Sequence, residues 1–102
     1  MCHIFSGTRP VDYEQVTRSV RLHRMVTSIR LENRFWGILD HMAQEAGMTT
    51  PRFLATLHDE VLELRGEVRN FASLLRVACT TWLARRGAVE LAELEPARLA
   101  AA

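Results

Sequence analysis

The stretch "VTSIRLENRFW", residues 26–36, changes hydrophobic period partway through. Up to Leu31 apolar and polar residues alternate, the period of a strand with one buried face; after Asn33 they bunch at helical spacing. The chain must therefore run a short strand directly into a helix. Period two assigns the faces: Thr27, Ile29 and Leu31 point one way, and Val26, Ser28 and Arg30 the other. Ile29 and Leu31 mark the core side, so Ser28 and Arg30 face out. On the residues alone, Arg30 reads as a solvated edge-strand charge of the kind that deters aggregation.

A second stretch, "RSVRLHR" (18–24), also alternates, with Val20 and Leu22 on one side and Ser19, Arg21 and His23 on the other. It echoes the first as "SVRL" against "SIRL", and both segments are predicted as strands. One or two strands cannot form a stable sheet without backing. A second copy of the chain is the simplest source of a partner strand. Residues 1–17 read as an arm with one short helical turn near "VDYEQV".

Three helices follow. Asn33 or Glu32 caps the first, whose stripe is Phe35, Leu39, Met42 and Ala46 with Trp36 and Ala43 alongside. Gly47 ends it, as a residue that tolerates left-handed geometry. "MTTPRF" opens the second: Thr49 or Thr50 caps it and Pro51 sits in its first turn. Its stripe is Leu54, Leu57, Val61 and Leu64 with Phe53 beside them, and it stops near Gly66. Asn70 caps the third, with Phe71, Leu74, Leu75, Ala78, Cys79, Trp82 and Leu83 on one face and Gly87 after it. The expected organisation is an arm over 1–23 with an extra strand at 18–24, a core over 24–65, an additional helix over 66–87, and an Ala-rich tail over 88–102, frayed at its end.

With 102 residues, one domain is the most this chain can hold. No apolar run approaches the ~18 residues of a membrane span, and no secretory signal is visible. Cys2 and Cys79 read as reduced thiols, which fits a cytoplasmic protein. The net charge of +1 is distributed unevenly: residues 1–36 carry six arginines against three acids, residues 37–102 seven against nine. Every basic side chain is Arg, the residue that makes bidentate contacts to phosphate and guanine. His3, His23, His41 and His58 show no metal-ligand spacing, and no cofactor or metal is expected. Met1-Cys2-His3 has the groups to chelate copper, and "MC" suggests an N-terminal cysteine nucleophile, but such enzymes need a large additional fold. With no Gly-rich phosphate loop, nucleophile elbow or close acid pair, the chain does not read as an enzyme.

The order strand, helix, Gly turn, helix, extra helix, carried by "VTSIRLENRFW", its spacing to "EAGMTT" and the aliphatic stripe of the second helix, resembles the ribbon-helix-helix family of DNA-binding proteins over about residues 24–65. "RSVRLH", "TSIRLENRFW" and "RNFASLLRV" look closest to a small bacterial branch with extra segments on both sides. The resemblance implies a mainly α fold with a short β-ribbon, in which two chains pair strands antiparallel in front of intertwined helices. The ribbon would enter the major groove of double-stranded DNA, and the protein would be a transcriptional regulator. Ser28 and Arg30 would then contact bases, with Val26 at the position of a third reader, where it meets a thymine methyl. Arg24, Thr49, Thr50 and Arg52 would contact phosphate, the threonines at a helix N-terminus. Ile29, Leu31, Phe35, Trp36, Leu39, Leu54 and Leu57 would form the dimer core. Two departures stand out: Val26 is apolar, and Pro51 removes one N–H from the phosphate-facing helix end.

Two other readings fit parts of the chain. "AQEAGMTTPRFLATL" matches an ordinary helix-turn-helix, with Thr50, Arg52 and Thr56 as base contacts, but that predicts helix before residue 33, where the alternation predicts strand. A protein-interaction module, such as an antitoxin or adaptor, would use the same dimeric fold. It would bind a partner protein through residues 1–23 or 88–102. Residues 1–23 would also allow a higher oligomer by building a tetramer interface.

Overall fold

The computed structural model describes residues 6–87; the readings placed on Cys2, His3 and the 88–102 tail lie outside them. The elements are α1 (Pro10–Tyr13), β1 (Gln15–Leu22), β2 (Met25–Glu32), α2 (Asn33–Glu45), α3 (Thr50–Arg65) and α4 (Phe71–Arg86). Strand runs into helix at Glu32–Asn33, where the period change requires it. No side chain caps α2. Instead the Asn33 N–H donates to the Glu14 carbonyl at 2.8 Å, which carries the backbone bonding of the sheet into the first turn of the helix.

The helix stops follow local chemistry. Gly47 (φ +70°) and Gly66 (φ +79°) take left-handed conformations after α2 and α3, where a side chain would be strained. The Thr49 hydroxyl accepts from the Arg52 N–H, and Asn70 Oδ1 accepts from the Ser73 N–H at 3.3 Å. Each satisfies one orphan donor of a helix start.

Within the chain β2 pairs with β1, antiparallel over its full length from Gln15 opposite Glu32 to Leu22 opposite Met25, along one of its two edges. The extra strand predicted at 18–24 starts three residues earlier, and His23 and Arg24 form the two-residue turn instead. His23 has φ 59°, at the position where such hairpin turns favour glycine. Its Nε2–H donates to Asp59 on α3, which holds the turn against that helix.

Val20, Ile29, Leu31, Trp36, Leu39, Leu54, Leu75 and Cys79 make one core. Leu31, Trp36, Leu39 and Leu54 are fully covered by their own chain. These four, expected in a dimer core, therefore form the core of the single subunit; Ile29 is also buried there, and Phe35 and Leu57 pack against it half-buried. Within the chain, the hairpin and α4 contribute apolar side chains to this core. Burial falls along α3, so that Leu64 at the end of its predicted stripe is 81% exposed. On α4, Leu83 turns out to solvent and Ala84 is buried in its stead. Ala46 is exposed at the end of α2. Burial raises the Cys79 thiol to about 11, which leaves it protonated and unreactive.

Candidate nucleic-acid interface

The hairpin buries one face and exposes the other. Arg18, Val20 and Leu22 of β1 turn inward with Thr27, Ile29 and Leu31 of β2, while Thr17, Ser19 and Arg21 share the outer face with Val26, Ser28 and Arg30. The alternation in 26–31 thus assigned its faces as observed. Across the ribbon Thr17 stands opposite Arg30, Ser19 opposite Ser28, and Arg21 opposite Val26. The outward Val26, 57% exposed, therefore has an arginine directly beside it. Thr17, Ser19 and Arg21 were not among the expected contact residues. Their signal lay in the alternation of "RSVRLHR" and in its echo of the second strand.

Charge follows the same division. Residues 15–31 contain four arginines and no acid. Arg18, the one that points inward, clasps Asp40 with both terminal nitrogens at 2.8 and 3.1 Å and lies 4.4 Å over the Trp36 ring. Arg9, Arg34, Arg69, Arg76 and Arg86 are also in ion pairs. Arg21, Arg24, Arg30 and Arg52 make no ion pair among the described residues. Three of these sit on the ribbon or its turn, and Arg52 lies in the first turn of α3. Arg65 and Arg85 are unpaired as well, but each lies in the last turn of its helix, where a cation complements the dipole.

At the start of α3 the structure separates the two threonines. The Thr50 hydroxyl donates to Asp40 Oδ1 at 2.7 Å, while the Thr49 hydroxyl accepts from the Arg52 N–H and the Thr49 carbonyl from the Phe53 N–H. Arg18, the first of several causes, lowers the Asp40 carboxyl below its ordinary range. The pair's charges cancel, which limits the repulsion an anion would meet beside this helix end. Thr56, the base contact of the helix-turn-helix reading, returns its hydroxyl to the Arg52 carbonyl at 2.9 Å. Strand occupies the residues before 33, where that reading required helix.

The two tryptophans differ. Trp36 is wholly buried and donates its indole N–H to the Val16 carbonyl at 2.8 Å. Trp82 is half-buried between Arg86, 4.5 Å from its ring, and the edge of His41. No helix among the described residues is long and apolar enough to cross a membrane.

The ribbon-helix-helix domain matches residues 15–83, a span that begins at the first residue of β1 and ends within α4. Among solved structures, an uncharacterized protein from Bordetella pertussis Tohama I is similar, with 38% identity and a TM-score of 0.81 over 84% of this chain and 69% of that one. No curated protein matches the chain.

Proposed function

The chain belongs to the ribbon-helix-helix family, and from that premise we propose that it is a sequence-specific DNA-binding protein of the bacterial cytoplasm that regulates transcription. One observation carries this reading. Among the described residues, apart from the two at helix C-terminal ends, the arginines without acidic partners collect on the outward ribbon, its turn and the first turn of α3, while most others brace the fold. Between residues 17 and 30 the outer face of the ribbon holds Ser, Thr and Arg with Val26 and no carboxylate, which matches what a groove offers. Arg30 spans guanine O6 and N7, Ser28 bonds a base edge, and Val26 meets a thymine methyl. Arg24 and Arg52, with Thr49, contact phosphates and set the register.

The protein acts as a homodimer in this reading. Val77, 63% exposed, lines a groove of about 480 Å³ with Val61, Leu74 and Ala78, an apolar surface that supports self-association.

The test is a salt series of binding to random duplex DNA with wild type and Arg30→Ala. Affinity that falls steeply with salt is expected from a phosphate footprint. Lack of any binding at low salt would remove the DNA reading and leave the protein-interaction module. An Arg30→Ala protein that selects its preferred site as well as wild type would remove the ribbon assignment alone.

A further inference from the structure

We propose that β1 flanks the reading strands of the homodimer: it lies outside a central pair of β2 strands, at the rim of the groove, where Arg21 holds phosphate. Ser19 and Thr17 share that rim. This rests on the DNA-binding homodimer above and gives a role to the half of the outer face which that reading leaves unused.

The edges of β2 carry the argument. β1 covers one of them. The Asn33 N–H donates to the Glu14 carbonyl, one step beyond Gln15 and Glu32 in the same register, and antiparallel ladder bonds recur at every second residue. Odd-numbered residues of β2 therefore direct their backbone groups to β1. Those of Val26, Ser28 and Arg30 point to the other edge. A groove of about 450 Å³ lies along it, between residues 27–30 and Asn70, Phe71 and Ala72. The occupant that fits this edge is β2 of a second copy. Antiparallel pairing of Val26, Ser28 and Arg30 with the same set in a second β2 puts both reading faces on one side. Ile29 and Leu31 of both chains then share the other. The homodimer sheet has the order β1, β2, β2, β1.

Width separates the two kinds of strand. A major groove about 12 Å wide admits a two-stranded ribbon. Four strands about 4.8 Å apart spread over about 14 Å between their outermost axes, which is too wide. The central β2 pair enters and each β1 is left at a rim, where the phosphates run. The side chains there suit that place. Thr17, Ser19 and Arg21 are exposed, Arg21 stands beside Val26, and residues 15–31 hold no carboxylate to repel a phosphate. A guanidinium bonds phosphate oxygens two at a time, and the serine and threonine hydroxyls donate to the same backbone.

The experiment combines selection from a randomised duplex pool with phosphate-ethylation interference, using the full chain as wild type, Arg21→Ala, Arg21→Lys and Arg30→Ala. Arg21 is exposed, so circular dichroism and melting temperature of its variants should match wild type. Arg21→Ala is expected to leave the selected sequence unchanged and to weaken selected and random duplexes by a similar factor. The salt slope should fall by about one per lost contact. Two symmetry-related phosphates, one on each rim, should lose their interference, and Arg21→Lys should restore it. Arg30→Ala should instead relax the selected sequence. If Arg21→Ala alters the selected bases, β1 reads bases and the proposal fails. It fails equally if Arg21→Ala changes neither slope nor interference, or if it affects a single phosphate. DNA binding stands in all three cases. Wild type that binds no duplex at low salt overturns the DNA reading itself, and this inference with it.

Discussion

The indole N–H of Trp36 donates to the backbone carbonyl of Val16 at 2.8 Å, across 20 residues of sequence. The bond joins the first turn of α2 to the outer strand of the ribbon. It sits beside the Arg18–Trp36 stack, so one buried ring holds β1 by both backbone and side chain.

Trp36→Phe keeps the aromatic volume in part and removes the donor. Stability should fall by about 1–3 kcal/mol, from a lost hydrogen bond and a small cavity. Urea unfolding measures the loss, and amide exchange should rise first in β1. Exchange that rises uniformly across the chain would show that the bond does not hold this strand in particular.

Arg18→Met removes the clasp on Asp40 and keeps the apolar stem. Arg18 and Asp40 side chains are 38% and 45% exposed, so solvent screening holds the cost to about 1 kcal/mol, with the ring stack included. The gap between wild type and variant should narrow at high salt.

Acid should weaken the join between β2 and α4. Glu32 is lowered from 4.5 to about 2, first by the hydrogen bond from Arg76, then by its own backbone and Gln15. A depressed carboxyl contributes stability that is complete above its unfolded value and lost as pH falls through its folded one. The melting temperature should therefore drop between about pH 4.5 and 2, and Arg76→Gln should flatten that drop. Equal acid sensitivity in the two proteins would assign the effect to other carboxylates, such as Asp40 and Asp12, which are also lowered.

Asn70 serves α4 twice, through its cap bond to Ser73 and its left-handed backbone at φ 44°. Asn70→Ala should cost about 1–2 kcal/mol by losing the cap, with added strain because Ala has no local compensation in that region. Asn70→Gly should cost less, since Gly accepts the backbone angle. Thermal unfolding of the two variants side by side tests the order.

Arg52→Ala should weaken duplex binding to a similar degree on every sequence and reduce the salt slope by about one, as a lost phosphate contact does. A change in the selected sequence would place Arg52 on a base instead.

Much of the fold was legible because its signals are local. The period change at 26–36 located the strand-to-helix junction and the outward Arg30. Gly47, Pro51, Gly66 and Asn70 marked helix ends through backbone angles and caps that each depend on a few neighbours. The turn at His23–Arg24 was hidden because neither residue has the usual hairpin signature, and the contact that steadies it, Asp59, lies 36 residues away. Thr50 looked free for phosphate because its partner Asp40 is brought close only when α3 folds back beside α2.

Alternation determined by itself which side chains of 18–22 and 26–31 face the core, since successive residues of a strand must point to opposite sides. It carried no information on which strand lies alongside, because ladder hydrogen bonds use backbone that is the same at every residue. Tertiary structure decided that. A two-residue turn keeps β1 beside β2 at a small closure entropy, at a far higher effective concentration than a separate chain in solution provides. Trp36, Asp40 and Asp59 then hold the pair against the helices.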